Sequence, residues 1–138
     1  MRVDSILNGT VIDHIGAGKG MRLFKLLELE KLECPIAIIK NVPSKKMGRK
    51  DIIKIDGDVP VDFDVIGFVD PAATINIIAG GKIIEKKTCC LPEVLKNVVR
   101  CKNPRCITSV EQEIDHIFKL TDKENKIYRC IYCETKAN

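Results

Sequence analysis

Ala73-Thr-Ile-Asn-Ile-Ile-Ala-Gly-Gly-Lys-Ile-Ile-Glu-Lys86 sets two apolar, β-branched runs on either side of a Gly-Gly dipeptide. A two-residue hairpin needs positive φ at its central residues, so Gly80-Gly81 predicts an antiparallel pair formed by 73–78 and 82–86. Working back, Pro60 to Phe68 reads as a short helix, and Asp51-Ile-Ile-Lys-Ile55 and Cys34-Pro-Ile-Ala-Ile-Ile39 read as strands. Met21 to Leu32 is rich in helix formers, with Leu23, Phe24, Leu26 and Leu27 making a broad apolar face. Gly9-Thr-Val-Ile-Asp-His-Ile15 is the first strand and Gly16-Ala-Gly-Lys-Gly20 the loop after it. The order strand, helix, two strands, weak helix, two strands is a split βαβ pattern with one additional hairpin strand. It predicts an α+β fold with an antiparallel or mixed sheet and helices on one face.

The chain has 138 residues, of which 45% are hydrophobic and 30% charged, so it folds as one ordinary domain or two small ones and is not disordered. With no Trp and six Phe and Tyr together, its core is built from Ile, Leu and Val. A net charge of +4 allows an anionic ligand without demanding nucleic acid or a membrane surface. No apolar run approaches the roughly 20 residues that span a bilayer, and Met1-Arg-Val-Asp-Ser lacks the apolar core of a signal peptide. These features predict a cytoplasmic protein.

Seven cysteines cannot all pair within the chain. Cys34, Cys89 and Cys90 lie in apolar or Thr-containing stretches and read as small packing thiols. The other four form two knuckles, Cys101-x4-Cys106 and Cys130-x2-Cys133, with 23 residues between them. Two such turns supply four thiolates to a tetrahedral structural zinc at about 2.3 Å, with no open position for a catalytic water. The boundary falls at Thr88-Cys-Cys-Leu-Pro92. Residues 1–92 form the larger module, 93–100 a linker with a short helix, and 101–138 a small all-β zinc module. Within the last, Ser109 to Leu120 and Lys126 to Ile131 read as strands joined by Asp122-Lys-Glu-Asn125.

Gly16-Ala-Gly-Lys-Gly20 matches neither a phosphate loop nor a dinucleotide fingerprint, and reads as a turn. The charge map is more informative, because residues 40–54 hold six basic side chains against the single acid Asp51. Period-2 geometry puts Lys50, Ile52 and Lys54 on one side of their strand, with the two lysines about 13 Å apart, a spacing that brackets a nucleotide. Lys86, at the end of the hairpin, adds a cation if the sheet brings it near. Asp13 and His14 are adjacent on a strand and point to opposite faces, which argues against a dyad. His116 reads as a surface residue of the zinc module. No nucleophile has a plausible base, so no catalytic machinery is visible.

Gly9-Thr-Val-Ile-Asp-His-Ile15, Asn41-Val-Pro-Ser-Lys-Lys-Met-Gly-Arg-Lys-Asp-Ile-Ile-Lys-Ile55, Ala73-Thr-Ile-Asn76, Leu91-Pro-Glu93 and the four cysteines together resemble the regulatory chains of aspartate carbamoyltransferase, from about Ile6 to the C-terminus. The resemblance implies a non-catalytic subunit in pyrimidine biosynthesis. Its N-terminal domain would be ferredoxin-like and bind the effectors CTP, ATP and, in some members, UTP. Its zinc domain, holding one ion through Cys101, Cys106, Cys130 and Cys133, would dock on the catalytic chain. Carried over by motif, Asp13 and His14 serve ribose and phosphate, Lys50 and Lys54 are the family's paired lysines, and Lys86 is its phosphate lysine. Ile6, Val11, Asn76 and Ile83 line base and ribose. A regulatory-chain homodimer is implied, and neither nucleic acid nor membrane is an expected partner.

A nucleic-acid-binding zinc ribbon is the main alternative, and it would want a basic zinc module with stacking aromatics. Residues 101–138 carry seven Lys or Arg against six Asp or Glu, with Phe118, Tyr128 and Tyr132 as their aromatics. A small enzyme using a thiol or zinc is a third reading, without a substrate to propose.

Overall fold

The computed structural model describes residues 6–137. They fall into two units, one ending at Cys90 and the other beginning at Leu91. The first contains β1 (Gly9–Gly16), α1 (Gly20–Leu26), a 3-10 turn (Leu29–Lys31), β2 (Ile36–Ser44), β3 (Gly48–Ile55), α2 (Phe63–Val69), β4 (Thr74–Ala79) and β5 (Lys82–Thr88). The strands form one sheet in the order β2-β3-β1-β4-β5, and every neighbouring pair is antiparallel. Alternate residues Ile12, Ile53, Ile55 and Ile75 are fully buried, and with Leu23 of α1 and Val65, Ile66 and Val69 of α2 they make the core. Burying each such side chain contributes about 1.5–3 kcal/mol. The sheet is thus covered by helices on one face, as the split βαβ pattern predicts.

Both hairpin glycines have positive φ, Gly80 at 59° and Gly81 at 77°, the conformation that a two-residue turn demands. In α2 the Asp62 carboxylate caps the first turn by accepting from the Asp64 N–H at 2.9 Å. The helix expected over Met21 to Leu32 is interrupted. α1 ends when Glu28 turns to a φ of 55°, and Leu29–Lys31 continue as a 3-10 turn. β2 runs five residues beyond its expected end, and its Pro43 is tolerated because β2 is a sheet edge.

The second unit contains β6 (Val94–Lys96), a single helical turn α3 (Ile107–Val110), β7 (Ile117–Asp122) and β8 (Ile127–Cys130), with the strands antiparallel in the order β6-β7-β8. Two expectations are corrected here. The short helix expected within 93–100 is instead β6, because Leu95 pairs with Phe118 of β7 and both are buried. The strand expected from Ser109 begins only at Ile117, since α3 follows Cys106 directly and 111–116 is irregular. Tyr128 is buried, and its hydroxyl donates to the Pro92 carbonyl at 2.6 Å. Among the described residues no helix is long and apolar enough to cross a membrane.

Candidate functional site: an open sheet face and a four-cysteine cluster

Side chains alternate along each strand, so the sheet face opposite the helices collects the residues between the buried isoleucines. Register then lines them up. Lys54 of β3 lies opposite Val11 of β1, Val11 opposite Asn76 of β4, and Asn76 opposite Lys86 of β5. This is one row across four strands, about 14 Å from the Lys54 backbone to that of Lys86 at roughly 4.8 Å per strand. Lys50 stands four residues from Lys54 on the same face, about 13 Å away. Ile83, half exposed, is opposite Ile78 one row further on. Ile6 is buried ahead of β1 and outside the row. The next residue, Leu7, accepts the Gly81 N–H at 2.9 Å, so this segment runs beside the hairpin.

Asp13, His14 and Lys50 form a second group on this face. A bulge puts Asp13 and His14 together opposite the single residue Ile52, and His14 takes a φ of 57°. Strict alternation therefore fails here, which corrects the expectation that the two side chains part company. The His14 N–H donates to Asp13 Oδ1 at 2.6 Å, and its Nδ1 lies 2.9 Å from the hydroxyl oxygen of Thr74, the residue opposite Asp13. Lys50 Nζ is 2.9 Å from Asp13 Oδ1. Burial pushes the Asp13 carboxyl up, but the Lys50 ammonium and the His14 amide outweigh it and hold it below its ordinary 3.8. Among the described residues neither Lys54 nor Lys86 has a carboxylate partner. The face can thus offer two uncompensated cations and one compensated one to an anion. Thr74 was not singled out from sequence, although it lies two residues before Asn76 and so shares its face.

The glycine loop after β1 is already occupied by anions of the chain itself. Gly18 and Gly20 donate their N–H groups to Asp51 Oδ2 at 3.0 and 2.9 Å, and Gly16 donates to Asp70 Oδ2 at 2.6 Å. Its amides are therefore not free to cradle a phosphate. A cavity of about 770 Å³ is lined by Thr10, Val59, Pro60, Phe63, Ile77 and Ile84 among others, with no cationic side chain in its lining.

In the second unit the sulfurs of Cys101, Cys106, Cys130 and Cys133 all lie within 4.8 Å of one another. Cys101 and Cys133 are 3.5 Å apart, and Cys106 and Cys130 3.7 Å. A tetrahedron with metal–sulfur bonds of about 2.3 Å has edges of about 3.8 Å, so the donor set fits a structural metal such as zinc. Burial pushes the Cys101 thiol up to about 12 and raises Cys130. The hydroxyl of Thr108 lowers Cys106, and that of Thr135 lowers Cys133 to about 6. His116 is not a ligand of this group. Its Nδ1 accepts the Cys101 N–H at 3.1 Å, so it touches the first knuckle through the backbone instead of standing apart as a surface residue.

Comparison with known proteins gives consistent matches over both units. A family model described as the allosteric domain of the aspartate carbamoyltransferase regulatory chain matches residues 1–89, and one described as its metal binding domain matches 93–138. The regulatory chain of Clostridium tetani is 50% identical over 135 residues, covering 97% of this chain and 94% of the relative. That of Clostridium botulinum is 49% identical over 134 residues, covering 97% and 92%. That of Bifidobacterium longum is 44% identical over 137 residues, covering 99% of each.

Proposed function

Because the chain belongs to the family of aspartate carbamoyltransferase regulatory chains, we propose that the open face of its first unit binds the nucleoside triphosphates CTP and ATP, and also UTP, as allosteric effectors. The observation that carries this reading is the row Lys54, Val11, Asn76 and Lys86, with Lys50 to one side. A nucleoside triphosphate is long enough to bridge lysines whose backbones stand about 13–14 Å apart, and charge-assisted hydrogen bonds to its phosphate oxygens are the strong kind. Lys86 and Lys54 neutralise phosphate, while Asp13 and His14 serve ribose and phosphate from the bulge. Val11, Asn76, Ile83 and Ile6 line base and ribose.

In the second unit, Cys101, Cys106, Cys130 and Cys133 hold one structural zinc, which supplies the crosslink that a module of this size needs in place of a larger core. Apolar residues within or just after the knuckles in sequence are exposed, namely Ile107, Val110, Ile131 and Tyr132. Such a surface supports docking on a protein, here the catalytic chain, and does not favour the nucleic-acid reading. A homodimer of regulatory chains belongs to the same proposal, and among the described residues β2 and β5 are the edge strands of the sheet. The reducing cytoplasm suits a chain whose cysteines are all free.

The mechanism is linkage. A nucleotide that binds one activity state of the assembled enzyme better than the other shifts their populations by that difference, typically about 1–3 kcal/mol. Calorimetric titration of CTP and of ATP into the full metal-loaded chain tests the site. Saturable binding is expected, weakened about tenfold or more in Lys54→Ala and in Lys86→Ala. Affinities unchanged in both variants would reject the assignment.

A further inference from the structure

Each knuckle ends in the same three-residue pattern, Cys106-Ile-Thr108 in the first and Cys133-Glu-Thr135 in the second. The Thr108 hydroxyl donates to Cys106 Sγ at 3.1 Å, and the Cys133 thiol donates to Thr135 Oγ1 at 3.2 Å. A sulfur bound to a metal is a thiolate and can only accept, so in the loaded site this second bond reverses and the Thr135 hydroxyl becomes the donor. Cys106 and Cys133 belong to different close sulfur pairs, Cys106 with Cys130 and Cys133 with Cys101. One hydroxyl bond therefore falls on each side of the cluster. Thr108 is buried and Thr135 half-buried, which limits competition from water for both bonds.

We propose that Thr108 and Thr135 are positioning residues of the metal site, which fix Cys106 and Cys133 as ligands and slow the escape of the ion. The proposal rests on the metal reading above and deepens it. Four thiolates around a divalent cation leave a net charge of two minus inside a largely buried cluster, and each hydroxyl donor withdraws part of that charge from one sulfur. Threonine suits the task because its β-branch restricts χ1 and holds the hydroxyl in one direction. Outer-shell partners of this kind typically change metal affinity by about 10–100-fold.

The test uses the full chain with Thr108→Val and Thr135→Val, which keep shape and remove the hydroxyl, alongside Thr108→Ser and Thr135→Ser, which keep it. Zinc-loaded protein is mixed with excess chromogenic chelator and zinc transfer is timed. Cobalt-loaded protein is read by its sulfur-to-metal charge-transfer band. Each Val variant should release zinc about tenfold faster or more and move the band to longer wavelength, while the Ser variants stay near the parent. Val variants with the parent's release rate and band position would overturn the proposal. So would Ser variants that behave like Val, because packing and not hydrogen bonding would then be at issue. A parent chain that takes up neither zinc nor cobalt would instead bring down the metal reading, and this inference with it.

Discussion

Replacing Asp51 with Asn keeps the shape of a fully buried side chain but breaks its hydrogen bonding in a way that can be worked through. Oδ2 accepts from Gly18 at 3.0 Å and Gly20 at 2.9 Å, and Oδ1 accepts from Asn41 at 2.8 Å. Asparagine has one acceptor oxygen. If it serves the two glycines, its NH2 group confronts the Asn41 N–H, and if it is flipped, both glycine amides lose their acceptor. Losing one charge-assisted bond, with the part-buried Asn41 donor set against an NH2 group, costs about 1.5–3 kcal/mol. For a unit of this size, 3 kcal/mol lowers Tm by roughly 12–24 °C. Far-UV circular dichroism of the full metal-loaded chain measures the loss. Because the chain has no Trp and both its tyrosines, Tyr128 and Tyr132, lie in the second unit, tyrosine fluorescence reports on that unit separately. The expected result is a large fall in the circular-dichroism transition with the fluorescence transition held. A loss below about 1 kcal/mol would refute the view that three backbone amides depend on this buried carboxylate.

Two other outcomes follow from the same structure. Stripping the metal with a chelator, or replacing Cys106 with Ser, should change tyrosine fluorescence as the second unit loosens, while the first unit keeps its strand signal; fluorescence indifferent to both treatments would sink the crosslinking role. The pH profile tests the Lys50–Asp13 pair. The folded pKa of Asp13 is depressed, so the pair's contribution is present above about pH 4 and is lost as pH falls through the lowered value. The stability gap between the parent and Lys50→Met should therefore be widest near neutrality and close in acid, and a gap of constant size across pH 3–7 would contradict this.

The succession of elements along the first unit, the Gly80-Gly81 hairpin and the metal knuckles are legible because each rests on local chemistry: alternation, positive φ, and thiol spacing. What escaped depends on distant partners. The stretch 93–99 has an acceptable helical sequence, but Leu95 finds Phe118, and that pairing, more than twenty residues away, outweighs local preference. The early end of α1 comes from a left-handed Glu28, a residue that gives no such signal. On the open face, periodicity placed Lys50 and Lys54 on one side of a strand but could not say that Lys86 would share a row with Lys54, which is a matter of register between four strands. The position of His14 escapes for a related reason, since alternation holds only until a bulge interrupts it.

That bulge has a twin. Lys40 and Asn41 of β2 together face Asp51 on the other side of β3, and Asn41, like His14, has a positive φ, at 57°. Each extra residue resets the in-and-out phase of its strand, which is how Ile12 and Ile15, three apart, both point into the core. The sheet is therefore indifferent to many side-chain exchanges at these two places but not to a change in length. Deleting one residue at either would turn the later side chains of that strand over, which in β1 sends Ile15 out of the core. Among proteins built on this plan, chain length around the two bulges should vary less than the identity of the residues that occupy them.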